Sequence, residues 1–154
     1  NAEQTGEFVW NMATHDLREA VNISAEELPH GVDEFERAGL EKAPSRIVKP
    51  MRVARSPIQF ECVYLNTLRF PGVPPMGTAD VVFGRVVAVH IADEVIDING
   101  MVDVLKIQPL ARMGYFDYTF VDNKFQMVIP GNSKALLAGL EGSPDKAKSN
   151  TKPV

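Results

Sequence analysis

Between Phe83 and Tyr118 the chain gathers residue types that suit an anionic, planar ligand. Phe83-Gly84-Arg85-Val86-Val87-Ala88-Val89-His90-Ile91 is rich in β-branched residues and reads as a strand ending on a histidine. Downstream, Pro109-Leu110-Ala111-Arg112-Met113-Gly114-Tyr115-Phe116-Asp117-Tyr118 supplies an arginine, a glycine and two tyrosines. Arginine close to glycine lets a guanidinium and bare backbone approach an anion or the rim of a heterocycle together. Each of these residues also has a plainer reading. Alternation puts His90 on one strand face with Val86 and Ala88, where a structural histidine is the commoner case. Arg112, in a helix-like 109–112 turn, serves equally as a solvated charge, and aromatic residues such as Tyr115, Phe116 and Tyr118 usually pack in a core.

Other chemistries find no support in the sequence. His15, His30 and His90 are isolated, and no Cys or carboxylate cluster has ligand spacing, so no metal site is expected. Glycine-rich dinucleotide fingerprints, phosphate loops and the Gly-x-Ser-x-Gly elbow are missing from the sequence. Lys and Arg total 16 against 20 Asp and Glu, and a net charge of -4 gives no field to attract a nucleic-acid backbone. No apolar run approaches the roughly 20 residues of a membrane span. Cys62 is the single cysteine, so no internal disulfide can form and the cytoplasm is the expected compartment. It alternates with Ile58 and Phe60 and reads as a buried, inert thiol.

The elements that must position the candidate residues follow from periodicity and punctuation. With 154 residues the chain has the length of one domain, able to bury about two thirds of its unfolded surface. Residues 1–4 read as the end of a helix capped by Gly6, and 7–12 as a strand with Phe8, Trp10 and Met12 on one face. Thr14 is expected to cap a helix reaching Ile23, Ser24-Ala25-Glu26-Glu27 has capping-box spacing, and Asp33 starts a short helix ending at Gly39. Beyond Lys42 the composition turns to strands, expected at 45–49, 59–68, 81–91, 95–98, 115–121 and 124–129. A proline-rich loop spans 71–77, and Asn99-Gly100 signals a turn. Antiparallel strands without crossover helices predict a β-rich fold, a small barrel with short peripheral helices.

Five segments, taken in order, resemble the flavin reductase-like, FMN-binding split β-barrel family. They are Thr5-Gly6-Glu7-Phe8-Val9-Trp10-Asn11, the stretch from Gly31 to Leu40, Ser56-Pro57-Ile58-Gln59-Phe60-Glu61-Cys62, the Phe83 to Ile91 strand, and Arg112-Met113-Gly114-Tyr115-Phe116-Asp117-Tyr118, which is similar to the family's Arg-x-Gly loop. Trp10 stands where the family has an aliphatic residue, and Arg85 where it has an acidic one. The resemblance implies a small antiparallel split barrel over 1–130, incomplete at its N-terminus, followed by a loose extension over 131–154. It further implies FMN, or FAD, as cofactor, NAD(P)H as co-substrate, a homodimer, and hydride transfer from nicotinamide to flavin; the alternative is a flavin-binding electron carrier that does not oxidise NAD(P)H. Carried onto this chain, the implied cofactor-binding residues are Asn1, His90, Arg112, Met113, Gly114 and Tyr118, with no covalent catalyst. Asn1 would be the last residue of an Asp-Thr-x-x-Asn phosphate turn. Gly77-Thr78-Ala79-Asp80 stands where nicotinamide-using members carry Gly-Asp-His.

Overall fold

A computed structural model describes residues 1–29, 31–75 and 77–127. The elements in chain order are helix α1 (Ala2–Thr5), strand β1 (Glu7–Asn11), a 3-10 turn (His15–Leu17) running into α2 (Arg18–Ile23), α3 (Glu34–Arg37), β2 (Lys42–Ala43), β3 (Arg52–Val53), β4 (Ile58–Phe70), β5 (Ala79–Ile91), a second 3-10 turn (Asp93–Val95), α4 (Val104–Ile107), β6 (Leu110–Arg112) and β7 (Tyr118–Phe120). Every ladder is antiparallel: β1-β4-β5 form the main sheet, while β2-β3 and β6-β7 are two-stranded. The β-rich antiparallel class expected from the sequence is therefore observed. Among the described residues no helix is long and apolar enough to cross a membrane.

The long β4-β5 hairpin is the frame, and two β-bulges set which side chains share a face. Glu61 pairs with Ala88 but Cys62 with Val86, so Val87 is an extra residue; Tyr64 pairs with Gly84 but Asn66 with Phe83, so Leu65 is extra on the other strand. The first bulge corrects the simple alternation expected for the His90 strand. Ala88 and His90 lie on the face of Glu61, whereas Val86 goes to the opposite face with Cys62. That opposite face is apolar: Trp10 stacks on Phe60 with centroids 4.8 Å apart, and the Phe8 ring crosses the sheet to Gly84. Cys62 is buried there, and burial pushes its thiol up. At the sheet's end Ile58, Val95 and Ile107 form a small core joined by Met12, Phe60 and Val102. Past the second bulge, Leu68, Phe70, Val81 and Phe83 share one face of the hairpin and are 45 to 51% exposed. The other face there carries the Tyr64–Thr67 hydroxyl contact and Arg69 between Glu3 and Asp80.

The sheet's other face is covered by residues 44–56, and polar side chains hold them there. Glu61 is fully buried; its Oε1 accepts the Arg46 N–H at 2.8 Å, and its Oε2 accepts those of Ile47 at 2.7 Å and Val48 at 3.0 Å. Glu7 accepts the Lys49 N–H at 2.9 Å, and Asn11 Oδ1 the Val53 N–H at 2.9 Å. Gln59 donates to the carbonyls of Val53 and Ser56 and accepts from Arg52 Nη1 at 3.0 Å. The strand expected at 45–49 is consequently a series of bends, because its N–H groups point into carboxylates and are lost to any ladder.

Other boundaries moved for local reasons. Thr14 makes no side-chain cap; it is buried in an isolated bridge with Pro109. Ser24 Oγ donates back to the Val21 carbonyl, so it closes α2 and no capping box forms. Asp33 does cap α3, accepting from Phe35 N, and Gly39 follows at φ 63°. The expected 95–98 strand is reduced to an Ile96–Val102 bridge around the Asn99-Gly100 turn, whose N–H groups at Asn99 and Met101 bond to Asp97 Oδ1. The 109–112 segment, expected helix-like, is instead β6; the helix lies just before it, capped by Asp103. The expected 115–121 strand shortens to β7, residues 124–127 are not a strand, and 128–154 lie outside the described residues.

Burial alone would raise the Glu61 pKa, but the N–H groups of Arg46, Ile47 and Val48 together with His90 outweigh it and lower the value from 4.5 to about 2. The unfolded state therefore binds the proton first. This contribution to stability is complete above pH 4.5 and is lost as the pH falls towards 2, an amount of about 3 kcal/mol. Glu61→Gln places an amide NH2 against at least one main-chain N–H in either orientation, that of Arg46 or those of Ile47 and Val48, and is expected to cost about 2 to 4 kcal/mol. Urea titrations across pH 2–7 check both: the variant should lose the acid-sensitive limb, and an unchanged pH profile would contradict the clamp. At Gly84 a Cβ would stand 2.5 Å from two atoms of the Phe8 ring and 3.2 Å from Cys62 Cβ. Gly84→Ala is expected to destabilise by about 1 to 3 kcal/mol, with part restored by adding Phe8→Leu.

Candidate functional site

The six candidate residues do not converge within the chain. Asn1 heads α1 without a side-chain cap and lines a cleft of about 740 Å³ between β1 and the short helices. The walls of that cleft are largely apolar, with Phe8, Trp10, Met12, Phe35 and Leu40 among them. Glu7 and Glu34 also line it, and no lysine or arginine does among the described residues. Tyr118 belongs to a second hollow of about 380 Å³ on the other side of α2, with His15, Arg18, Phe116 and Phe120. His90 belongs to a third, of about 370 Å³, with Arg52, Ser56 and Gln59.

The β6-β7 hairpin presents the remaining candidates. Its base is tied down by Leu110 N–H to the Ala13 carbonyl, His15 N–H to the Gln108 carbonyl, and a His15–Phe120 ring stack at 4.2 Å. Its tip is closed by Met113 N–H to the Asp117 carbonyl at 3.0 Å and Asp117 N–H to the Gly114 carbonyl at 2.9 Å. Arg112 is exposed, and its side chain has no ion pair or hydrogen bond among the described residues. Met113 is exposed, and Tyr115 and Phe116 are more than 90% exposed. The aromatic residues at the tip are therefore not core residues. A Cβ at Gly114 would touch nothing, and the left-handed position in this turn falls on Tyr115, at φ 53°. A bulky side chain rarely adopts that conformation.

Glu61 was absent from the candidate set, yet it governs His90. The imidazole Nε2 lies 2.6 Å from Glu61 Oε1, and the ring is 16% exposed. An ionised carboxylate can only accept, so Nε2 carries the hydrogen, and in the neutral ring Nδ1 holds the lone pair. The signal available in the sequence was Glu61 itself, a charge between Phe60 and Cys62 in an otherwise apolar strand.

The sequence model of the flavin reductase like domain matches residues 1–111. A protein of Aquifex aeolicus (strain VF5), known only as uncharacterized, is 32% identical over 129 residues, covering 82% of this chain and 63% of its own length. BH2278 of Halalkalibacterium halodurans, also uncharacterized, is 32% identical over 130 residues, with coverages of 84% and 62%. The chain thus spans less than two thirds of the length of these relatives. Among solved structures, nitrilotriacetate monooxygenase component B from Bacillus cereus aligns with a TM-score of 0.74 at 27% identity, covering 82% of this chain and 62% of that one. A Shewanella frigidimarina protein with a split barrel domain aligns at 0.70 and 21% identity, covering 84% and 63%, a likeness of fold alone. With the match running from Asn1 through the β4-β5 hairpin to the start of β6, the chain belongs to the flavin reductase like domain family.

Proposed function

We propose that this chain is the flavin-holding part of an FMN-dependent oxidoreductase that takes hydride from NAD(P)H and works as a homodimer. The observation that carries the reading is the family match over residues 1–111. When bound, the flavin supplies the redox chemistry and the protein supplies position and electrostatics, which agrees with a candidate set that holds no activated nucleophile. The cleft beside β1 has the size of a small-molecule site, and its aromatic and aliphatic walls suit a planar ring system. Among the described residues it has no lysine or arginine for the phosphate, although Asn1 offers an amide.

The missing charge and the scattered candidates have a common remedy in a second copy. Arg112, Met113, Gly114 and Tyr118 sit on a projecting hairpin whose arginine side chain has no ion pair among the described residues. The half-exposed Leu68, Phe70, Val81 and Phe83 offer an apolar surface for the pairing. In this arrangement Arg112 of one protomer meets the flavin seated in the cleft of the other. The second reading, a flavin-binding electron carrier, is favoured by Gly77-Thr78-Ala79-Asp80, which stands where nicotinamide-using members carry Gly-Asp-His and whose Asp80 is 3.5 Å from Arg69.

Blue and near-ultraviolet absorbance of the purified protein is expected to show flavin, and NADH or NADPH oxidation with added FMN separates the two readings: bound flavin without turnover leaves only the carrier. Arg112→Ala is expected to weaken FMN binding about ten- to a hundredfold if the guanidinium pairs with phosphate, the range for hydrogen bonds to charged groups. If it stabilises the reduced flavin instead, affinity holds and the reduction potential falls; neither change would remove Arg112 from the site. For the dimer, sedimentation at micromolar concentration should give twice the chain mass, and Phe83→Lys should shift it towards monomer. A monomeric native protein with flavin bound contradicts the arrangement.

A further inference from the structure

The hollow around His90 and Arg52 is separate from the apolar cleft and has a chemistry of its own. Arg52 projects from β3, donating from Nε and Nη2 to the Pro44 carbonyl and from Nη1 to Gln59 Oε1. A guanidinium has five N–H groups, so one remains on each terminal nitrogen to meet an oxyanion. Gln59 in turn is held by the carbonyls of Val53 and Ser56, which fixes the arginine from both sides. No carboxylate lines the hollow among the described residues, and the charge of Glu61 lies buried beyond the imidazole, shared among three N–H groups and His90. His90 Nδ1 has no hydrogen-bond partner among the described residues. Because Nε2 must donate to Glu61, that free nitrogen is an acceptor when the ring is neutral.

A cation with two spare donors beside a fixed acceptor selects for one kind of ligand. We propose that this pocket binds an oxyanion that still carries a proton, of which hydrogen phosphate is the simplest, with Arg52 pairing its charged oxygens and His90 Nδ1 accepting from its hydroxyl. Glu61 acts here as a positioning residue through the imidazole tautomer. Sulfate matches phosphate in shape and charge but has no proton to give, so it leaves Nδ1 unpaired. A site built to pair with a ligand hydroxyl rejects the analogue that lacks it. The inference does not depend on flavin binding.

The test is a titration of the native protein at pH 8 with inorganic phosphate, sulfate and methyl phosphate, read on the imidazole resonances of His90. Methyl phosphate, with a second pKa of about 6, is a dianion without a hydroxyl under these conditions. Phosphate is expected to shift the His90 signals saturably and to bind about tenfold more tightly than either of the others, the value of one hydrogen bond. A long-range proton–nitrogen correlation spectrum should show hydrogen on Nε2 alone. His90→Phe should bring phosphate down to the sulfate level while leaving sulfate unchanged, and Arg52→Lys should weaken all three by loss of the planar guanidinium's spare donors. Equal binding of phosphate and sulfate by the native protein, no saturable shift, or a hydrogen found on Nδ1 would each overturn the proposal, and none of these needs a variant that folds.

Discussion

Four hydrogen bonds converge on the buried carboxylate of Glu61, and much of the described structure is arranged around that convergence. A charge with no access to solvent is tolerable only if hydrogen bonds replace its water, and three consecutive backbone N–H groups and an imidazole do so here. The consequence runs in both directions. Residues 46–48 gain a fixed path without joining a sheet, and His90 gains a fixed tautomer without a partner on its own strand. The neighbouring polar groups extend the same logic, since Glu7, Asn11 and Gln59 each engage backbone of the covering segment.

The main sheet is thus two-faced in an unusual sense. One face is held by ring stacking and by the fit of Phe8 over Gly84, which depend on apolar area and shape. The other is held by directional bonds to main chain, which depend on register. A slip of one residue between β4 and β5 would exchange the faces, sending Glu61 among aromatic rings, so the bulges at Val87 and Leu65 are under strong constraint. They let the strand satisfy the polar pairing near Glu61 and the apolar pairing near Cys62 within a few residues.

Local sequence signals were legible where the cause was itself local. The Asn99-Gly100 turn, the Asp33 cap, the left-handed Gly6 and Gly39, and the extent of the β4-β5 hairpin follow from residues a few positions apart. The failures have distant causes. Residues 45–49 look like a strand until Glu61, some fifteen positions on, takes their N–H groups, and Ser24 looks like a cap until Val21 claims it. Bulges carry no compositional mark in a run of valines, so the face of Val86 was not readable. For the candidate site, the family segments offered Asn1, His90 and the Arg112 loop as expectations, whereas the carboxylate beneath the histidine shows only in three dimensions.

The tip of the β6-β7 hairpin has a further meaning for association. Its main chain is already closed by two hydrogen bonds, with Tyr115 held at a positive φ, while the rings of Tyr115 and Phe116 stand almost wholly in water and Met113 is mostly exposed. In most loops a binding partner must first be met by ordering of the backbone, a cost of about 1 to 2 kcal/mol per residue. Here that ordering belongs to the unbound state, and what is left to be immobilised is side-chain rotation, which is small for rings with two torsions. The loop is in effect a preformed aromatic knob, and its rate of engagement would be governed by encounter, with little conformational search.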